Sequence, residues 1–402
     1  MQKVNRNRLV AIFLVMAGCF VNLAGCAAPC RAAKGPARAT NIIFMVPDGM
    51  GLSDVTAARI FKNGPDGAGL YFEQLPGIGY QRTHSADSTV TDSAAAASAW
   101  ACGEKFNNGE ISWHTGPAGP RPVTILEIAR TLGKAAGLVV TAPITHATPA
   151  AWAAHVHSRR CQAEIARQYI AETGVEVLLG GGIGGTPQNH GCERYPVRNK
   201  SAVLALAREY GYTHVTTKAQ LDAAARRRVP KLLGLFAKKA KSPETFRVDP
   251  GAAYPENEPT LADMTRAALD ILENDPDGFF LMVEGSQVDW ANHANDLAYQ
   301  IGEILGFDEA VKTVQDWLAR DARRKKQTLV IVVADHDCGG FAVNGPYGNL
   351  SKAGDIVEDG WTSDNHTAVD TIIYSQGPGS DNLNAAVDNL SLIHISEPTR
   401  QL

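Results

Sequence analysis

Three apolar runs in this chain end in the same way. NIIFMVP runs into Asp48, FFLMV into Glu284, and TLVIVVA into Asp335-His336. Each is too short for a helix and rich in β-branched residues, which marks a buried strand of a parallel sheet. Strands of this kind are predicted at 41–46, 137–140, 177–179, 279–283, 328–333 and 371–374. Helical patterns fall between them at 124–132, 162–172, 260–273 and 302–320. Such alternation predicts an α/β fold: a mostly parallel central sheet with helices on both faces. The 402 residues, 45% hydrophobic and 20% charged, supply a core for one large domain or two and exclude a disordered or polytopic membrane chain. A formal charge of −4 lacks the basic footprint of a nucleic-acid binder.

In open α/β sheets the ligand site lies beyond the carboxyl ends of the strands. A single acid there is ordinarily a turn residue or a helix cap. Three gathered at equivalent strand ends repel one another unless cations hold them. Asp289 and His293, in VEGSQVDWANHAND, stand four apart on one helical turn, a spacing that suits chelation of one ion or a solvent-facing pair. Asp335-His336 is a second O/N pair, and His366 in DNHTAVD adds an imidazole. Mixed Asp/His donors suit Zn²⁺, whereas Asp48, Glu284 and a Thr hydroxyl suit Mg²⁺. Ser93, in VTDSAAAASAW, opens an Ala-rich helix whose N–H groups and dipole favour an anion. Alone it reads as a helix cap; beside metal ions it becomes a nucleophile. The planar fork of Arg159 matches a phosphoryl or sulfuryl group, and composition alone equally allows a surface arginine.

The segments NIIFMVPDGMG, VTDSAAAASAWACGEK, ITHATPAAWAAHVHSRR, FFLMVEGSQVDWANHAND, TLVIVVADHD and NHTAVD stand in the order seen in bacterial alkaline phosphatases. The chain resembles that family from about 41 to 388, with a variable insert near 192–259. The resemblance implies hydrolysis of small phosphate monoesters with two Zn²⁺ and one Mg²⁺. One zinc would lie at Asp289, His293 and His366, the other at Asp48, Asp335 and His336, and magnesium at Asp48, Thr148 and Glu284. Ser93 would form a phosphoseryl intermediate and Arg159 would hold two phosphoryl oxygens, with Asp92, His146 and Trp290 around them. A homodimer is also implied. Two positions depart from the well-studied enterobacterial form, which has Asp in place of His146 and Lys in place of Trp290. Without that Asp the water shell that suits Mg²⁺ weakens, so the third site is expected to take Zn²⁺ or Co²⁺ readily and to need added Mg²⁺ for full activity. The alternatives are a phosphodiesterase or other phosphoryl or sulfuryl hydrolase of the superfamily, and a non-catalytic metal- or phosphate-binding lipoprotein. Thr148, Glu284 and Arg159 favour a terminal phosphate over a diester, and Ser93 separates an enzyme from a binder.

Residues 1–25 carry Lys3, Arg6 and Arg8 before an apolar run without acids, the pattern of an export signal. Leu23-Ala24-Gly25-Cys26 matches a lipobox, so lipidation at Cys26 is expected, with plain cleavage as the alternative. Residues 26–40 then form a tether, 41–389 the catalytic domain, and the location is periplasmic with a membrane anchor. Losing the leader's three cations takes the formal charge from −4 to −7. LSLIHISEPTR back-translates into a transposase-type sequencing adapter, so 390–402 is expected to be an artefact that truncates the domain, and His394 is set aside. Besides Cys19 and Cys26 there are Cys30, Cys102, Cys161, Cys192 and Cys338, of which Cys161 and Cys192 are the expected disulfide. Cys338 is expected to have no zinc role, its side chain having no need to point inward. The glycine-rich stretch 179–185 reads as a strand exit, His155 and His157 as structural, and Arg226–Arg228 with Lys238, Lys239 and Lys241 as a solvated basic face that could also touch a membrane.

Overall fold

The computed structural model describes residues 38–115, 119–184, 192 and 199–390. The leader, Cys26, Cys30, most of the tether and the tail from 391 lie outside the described residues. All described residues belong to the compact unit Ala37–Leu402.

In chain order the strands are β1 (Asn41–Pro47), β2 (Gly77–Arg82), β3 (Ala135–Val140), β4 (Val177–Gly180), β5 (Thr213–Val215), β6 (Leu232–Leu235), β7 (Phe279–Gly285) and β8 (Thr328–Val333). Then come the short β9 (Asp337–Cys338), β10 (Ala342–Gly345), β11 (Glu358–Gly360) and β12 (His366–Thr367), followed by β13 (Thr371–Gln376) and β14 (Ala386–Asp388). One sheet has the order β14-β2-β13-β8-β1-β7-β3-β4-β6-β5, while β10–β11 and β9–β12 are separate pairs. From β8 across to β5 every pairing is parallel. β13 departs from expectation by running antiparallel to both β8 and β2. An apolar run reports burial and carries no sign of direction, so its sequence could not show this. The stretch read as a variable insert supplies β5 and β6, which extend the same sheet at its edge.

Alternate residues of the central strands feed two cores, one on each face. Ile43, Met45, Leu281, Val283, Val330 and Val332 pack on one side with the helices Leu261–Leu272 and Leu297–Ala319. Phe44, Val46, Phe280, Met282, Ile331 and Val333 pack on the other with the helices Ser93–Cys102 and Ala147–Ala153. The predicted helix over 162–172 is an α-helix at Gln162–Gln168 that continues as a π turn, Tyr169–Thr173. The longest helix starts at Leu297, earlier than predicted, because Asp296 caps it by accepting from the Tyr299 N–H.

Cys161 and Cys192 form the expected disulfide. The glycine-rich exit from β4 is structural as well: a Cβ on Gly181 would meet the Lys239 carbonyl at 2.0 Å, so the two backbones cross too closely for any side chain. His155 is also structural, held between the Ser112 carbonyl and Glu127. The basic face needs one correction. Arg226–Arg228, Lys238 and Lys239 are exposed, but Lys241 is buried and paired with Glu258 at 2.8 Å.

Candidate active site

The order β8-β1-β7 at the middle of the sheet sets three acids side by side. Val46 is in register with Glu284, Asp48 N–H donates to the Gly285 carbonyl, and Asp335 follows two residues after β8. The helix Gln287–His293 then packs against the turn that follows β1. At Gly49, with φ +75°, a Cβ would meet the Asp289 Cα at 2.7 Å, so only glycine fits there. Its N–H donates to Asp335 Oδ1 at 3.1 Å.

The donors assemble into groups whose ligand atoms lie within 4.8 Å of one another. They are Asp289, His293 and His366 with Cys338; Asp48, Asp335 and His336; and Asp48, His146 and Glu284. In the first, the Nε2 atoms of His293 and His366 face the same Asp289 oxygen at 3.5 and 3.3 Å. Their Nδ1 atoms are anchored by the Asp364 and Thr91 carbonyls, which fixes Nε2 as the inward nitrogen. In the second, His336 Nε2 lies 3.2 Å from Asp335 Oδ2 and 3.7 Å from Asp48 Oδ1.

The fit of these groups to cations follows from what is left unpaired. Both oxygens of Asp48, both of Glu284, Asp289 Oδ1, Asp335 Oδ2, Thr148 Oγ1 and His336 Nδ1 are buried without a hydrogen-bond partner. Each such atom is destabilising by about 1–3 kcal/mol or more, and divalent ions supply the missing partners. Electrostatics agree. Burial, with the carboxylates of Asp335, Asp289 and Glu284, drives Asp48 well above the ordinary carboxylate range. Burial and Asp335 likewise push Glu284 up to about 8. Thr148 lies against Glu284, completing an oxygen-rich set with Asp48.

Ser93 is the first residue of its helix, and its Oγ lies 3.3 Å from His336 Nε2. The cap is Asp92 rather than Ser93: Asp92 Oδ1 accepts from Ala95 N–H at 2.9 Å, which leaves the serine hydroxyl free of that duty. The other Asp92 oxygen accepts from Arg159 Nη1 at 2.9 Å, and Arg159 Nη2 lies 3.3 Å from His146 Nε2. Burial and the Arg159 guanidinium pull His146 down to about 3, so its imidazole is neutral and keeps a lone pair. Trp290 stands edge-on to His146 with ring centroids 5.9 Å apart. The structure therefore brings together Ser93, Asp92, Arg159, His146, Trp290 and all eight predicted metal donors.

One side chain lies otherwise than expected. The Cys338 thiol points inward and joins the group of Asp289, His293 and His366. It follows His336 by two residues into β9, and i, i+2 alternation places such residues on one face. That spacing was the available signal.

A serine hydroxyl at a helix N-terminus, facing cation-binding groups at the carboxyl edge of an α/β sheet, defines a class: metal-dependent hydrolases of anionic esters. The family model "Alkaline phosphatase" matches residues 39–354. Alkaline phosphatase 4 of Bacillus subtilis is 30% identical over 88% of this chain and 87% of its own. The solved structure of alkaline phosphatase from the Antarctic bacterium TAB5 superposes with a TM-score of 0.73 at 30% identity, covering 90% of this chain and 97% of that one. A variant of that enzyme with a histidine replaced by glutamate, described with Mg bound in the M3 site, superposes at 0.72 with the same identity and coverage. The chain belongs to the alkaline phosphatase family. It is a hydrolase acting on phosphate esters.

Proposed function

We propose that this chain hydrolyses phosphate monoesters through a phosphoseryl intermediate, with Ser93 as nucleophile and a site for two Zn²⁺ and a third cation. The observation that carries the reading is Ser93 Oγ lying 3.3 Å from His336 within a set of buried, unpaired carboxylates. Asp289, His293 and His366 would hold one zinc and Asp48, Asp335 and His336 the other. Asp48, Thr148 and Glu284 would hold the third ion. When bound, these ions supply Lewis acidity toward the ester and lower the pKa of a hydroxyl or water. Ser93 attacks phosphorus from the helix N-terminus, where the dipole favours the phosphoryl anion; the ester P–O bond breaks, the alcohol departs and the serine proton passes to solvent. Arg159, steered by Asp92, presents two N–H groups to the non-bridging oxygens. A water then releases phosphate from Ser93.

His146 stands where the third ion's oxygen shell would be, and its neutral imidazole suits Zn²⁺ or Co²⁺ better than Mg²⁺. The TAB5 variant with glutamate in place of a histidine and Mg bound in the M3 site supports the same link. Export, lipidation at Cys26, a periplasmic membrane-anchored location and a homodimer complete the proposal. The leader's sequence supports the first three and family resemblance the last.

The test is p-nitrophenyl phosphate hydrolysis before and after chelation, with Zn²⁺ and Mg²⁺ restored separately and bis-p-nitrophenyl phosphate alongside. Chelator-sensitive turnover of the monoester, stimulated by Mg²⁺, supports the reading. Preference for the diester, or turnover untouched by chelation, contradicts it.

A further inference from the structure

The sulfur of Cys338 is part of no disulfide, is fully buried, and sits among the donors of one cation group. Two independent contacts hold it there. In the β9–β12 pair Cys338 is directly opposite His366, and opposed residues of antiparallel strands project to the same face. From the other side, Sγ contacts the backbone carbonyl of Asp289 at 3.6 Å. The backbone is pinned as well, since Cys338 N–H donates to the Gly49 carbonyl at 3.1 Å. In the same group Asp289 Oδ1 is buried with no hydrogen bond.

We propose that Cys338 is a fourth protein donor to the cation held by Asp289, His293 and His366, making that site a mixed O/N/N/S centre. The inference rests on the reading of these three residues as a zinc site. A carboxylate, two imidazoles and a thiolate fill a tetrahedral zinc shell, so turnover at this ion would require expansion to five-coordination as substrate enters. Coordination replaces the S–H bond by S–metal, and the proton leaves to solvent. A soft donor biases the site toward Zn²⁺ and Cd²⁺ and away from Mg²⁺ and Mn²⁺, so this chain would separate its hard and soft cations more sharply than an all-O/N set does.

The experiment is a Co²⁺ titration of the chelator-stripped full chain, counting bound cobalt while reading the near-ultraviolet spectrum. The expected result is a thiolate-to-cobalt charge-transfer band that is lost in Cys338→Ser and Cys338→Ala. The band persists in a chain with both Cys30→Ser and Cys102→Ser, so the result stands even where a Cys338 variant fails to fold. Affinity at one cobalt site is expected to fall about 10- to 100-fold in the Cys338 variants. Full cobalt loading without the band, or a band that survives Cys338→Ala, overturns the proposal. A chain that turns over with Zn²⁺ yet shows no band overturns this inference alone. A chain that neither binds cobalt nor gains phosphatase activity overturns the zinc-site reading with it.

Discussion

Two buried carboxylate clusters in this molecule use the same residue types to opposite ends. Beyond the sheet, Asp48, Glu284, Asp289 and Asp335 lie among imidazoles with several oxygens unpaired. At the helix Leu297–Ala319, which carries Glu303, the carboxylates Glu244, Glu258 and Glu303 are matched from within. Lys241 pairs with Glu258 at 2.8 Å, Arg247 with Glu244 at 2.7 Å, and Glu303 accepts the Glu244 N–H at 2.8 Å. Burial raises Glu303 to about 8, as it does Glu284, so a raised carboxyl does not by itself mark a site. What separates the clusters is pairing. The second is satisfied by the protein's own cations, hydroxyls and backbone N–H groups, apart from Glu244 Oε1, whereas the first is left to ions from solution.

The largest effect tests the chemistry of the unpaired cluster. Ser93→Ala is expected to lower turnover by about 1000-fold or more while leaving bound zinc unchanged by elemental analysis. A variant that retains most activity would move the nucleophile elsewhere. Next, Lys241→Met leaves Glu258 without its cation, with only the neutral donors of Ser242 and Tyr254, and is expected to destabilise by about 3 kcal/mol in denaturant unfolding. Turnover per folded molecule should be unaltered.

Asp48→Asn should act with the opposite sign. It removes one of several mutually repelling charges, so the metal-free chain is expected to gain about 1–2 kcal/mol while zinc binding and activity collapse. Destabilisation of the metal-free form would erase the distinction between the clusters. The smallest effect lies outside both clusters. Asp263 closes a capping box with Thr260 and pairs with Lys218 and Arg266. Burial opposes its charge, but those partners hold it at about 2 against the usual 3.8. A carboxyl depressed on folding stabilises above its unfolded value, and that contribution disappears as pH falls through about 2. Asp263→Asn should therefore lose about 1 kcal/mol at pH 7 and converge with the parent near pH 2 in thermal melts.

How much of this was legible in sequence depended on what kind of signal each residue carries. The central strands were readable because β-branched apolar runs report burial on both faces, and their terminal acids located the site. Strand β2, next to the edge strand β14, carries no such signal, since half its residues are exposed and Gly77 and Gly79 interrupt its apolar character. Strands β5 and β6 are short and were taken for an insert, because membership of a sheet is a long-range fact. Within the site, ligand types and spacing pointed to cations. The cap at Asp92, the Arg159–His146 contact and the inward Cys338 are set by how distant loops meet. Lys241 looked like surface charge because its partner, Glu258, lies on a loop whose path the local pattern does not encode.

The most direct test is a calorimetric titration of the chelator-stripped chain with Zn²⁺ and then Mg²⁺, run beside Asp48→Asn. The account predicts three cations per chain, two of them zinc, each raising the thermal midpoint, with two of the three sites weakened together in the variant because Asp48 serves both. A stripped chain that binds no zinc, or an Asp48→Asn chain that binds all three cations undiminished, would contradict it.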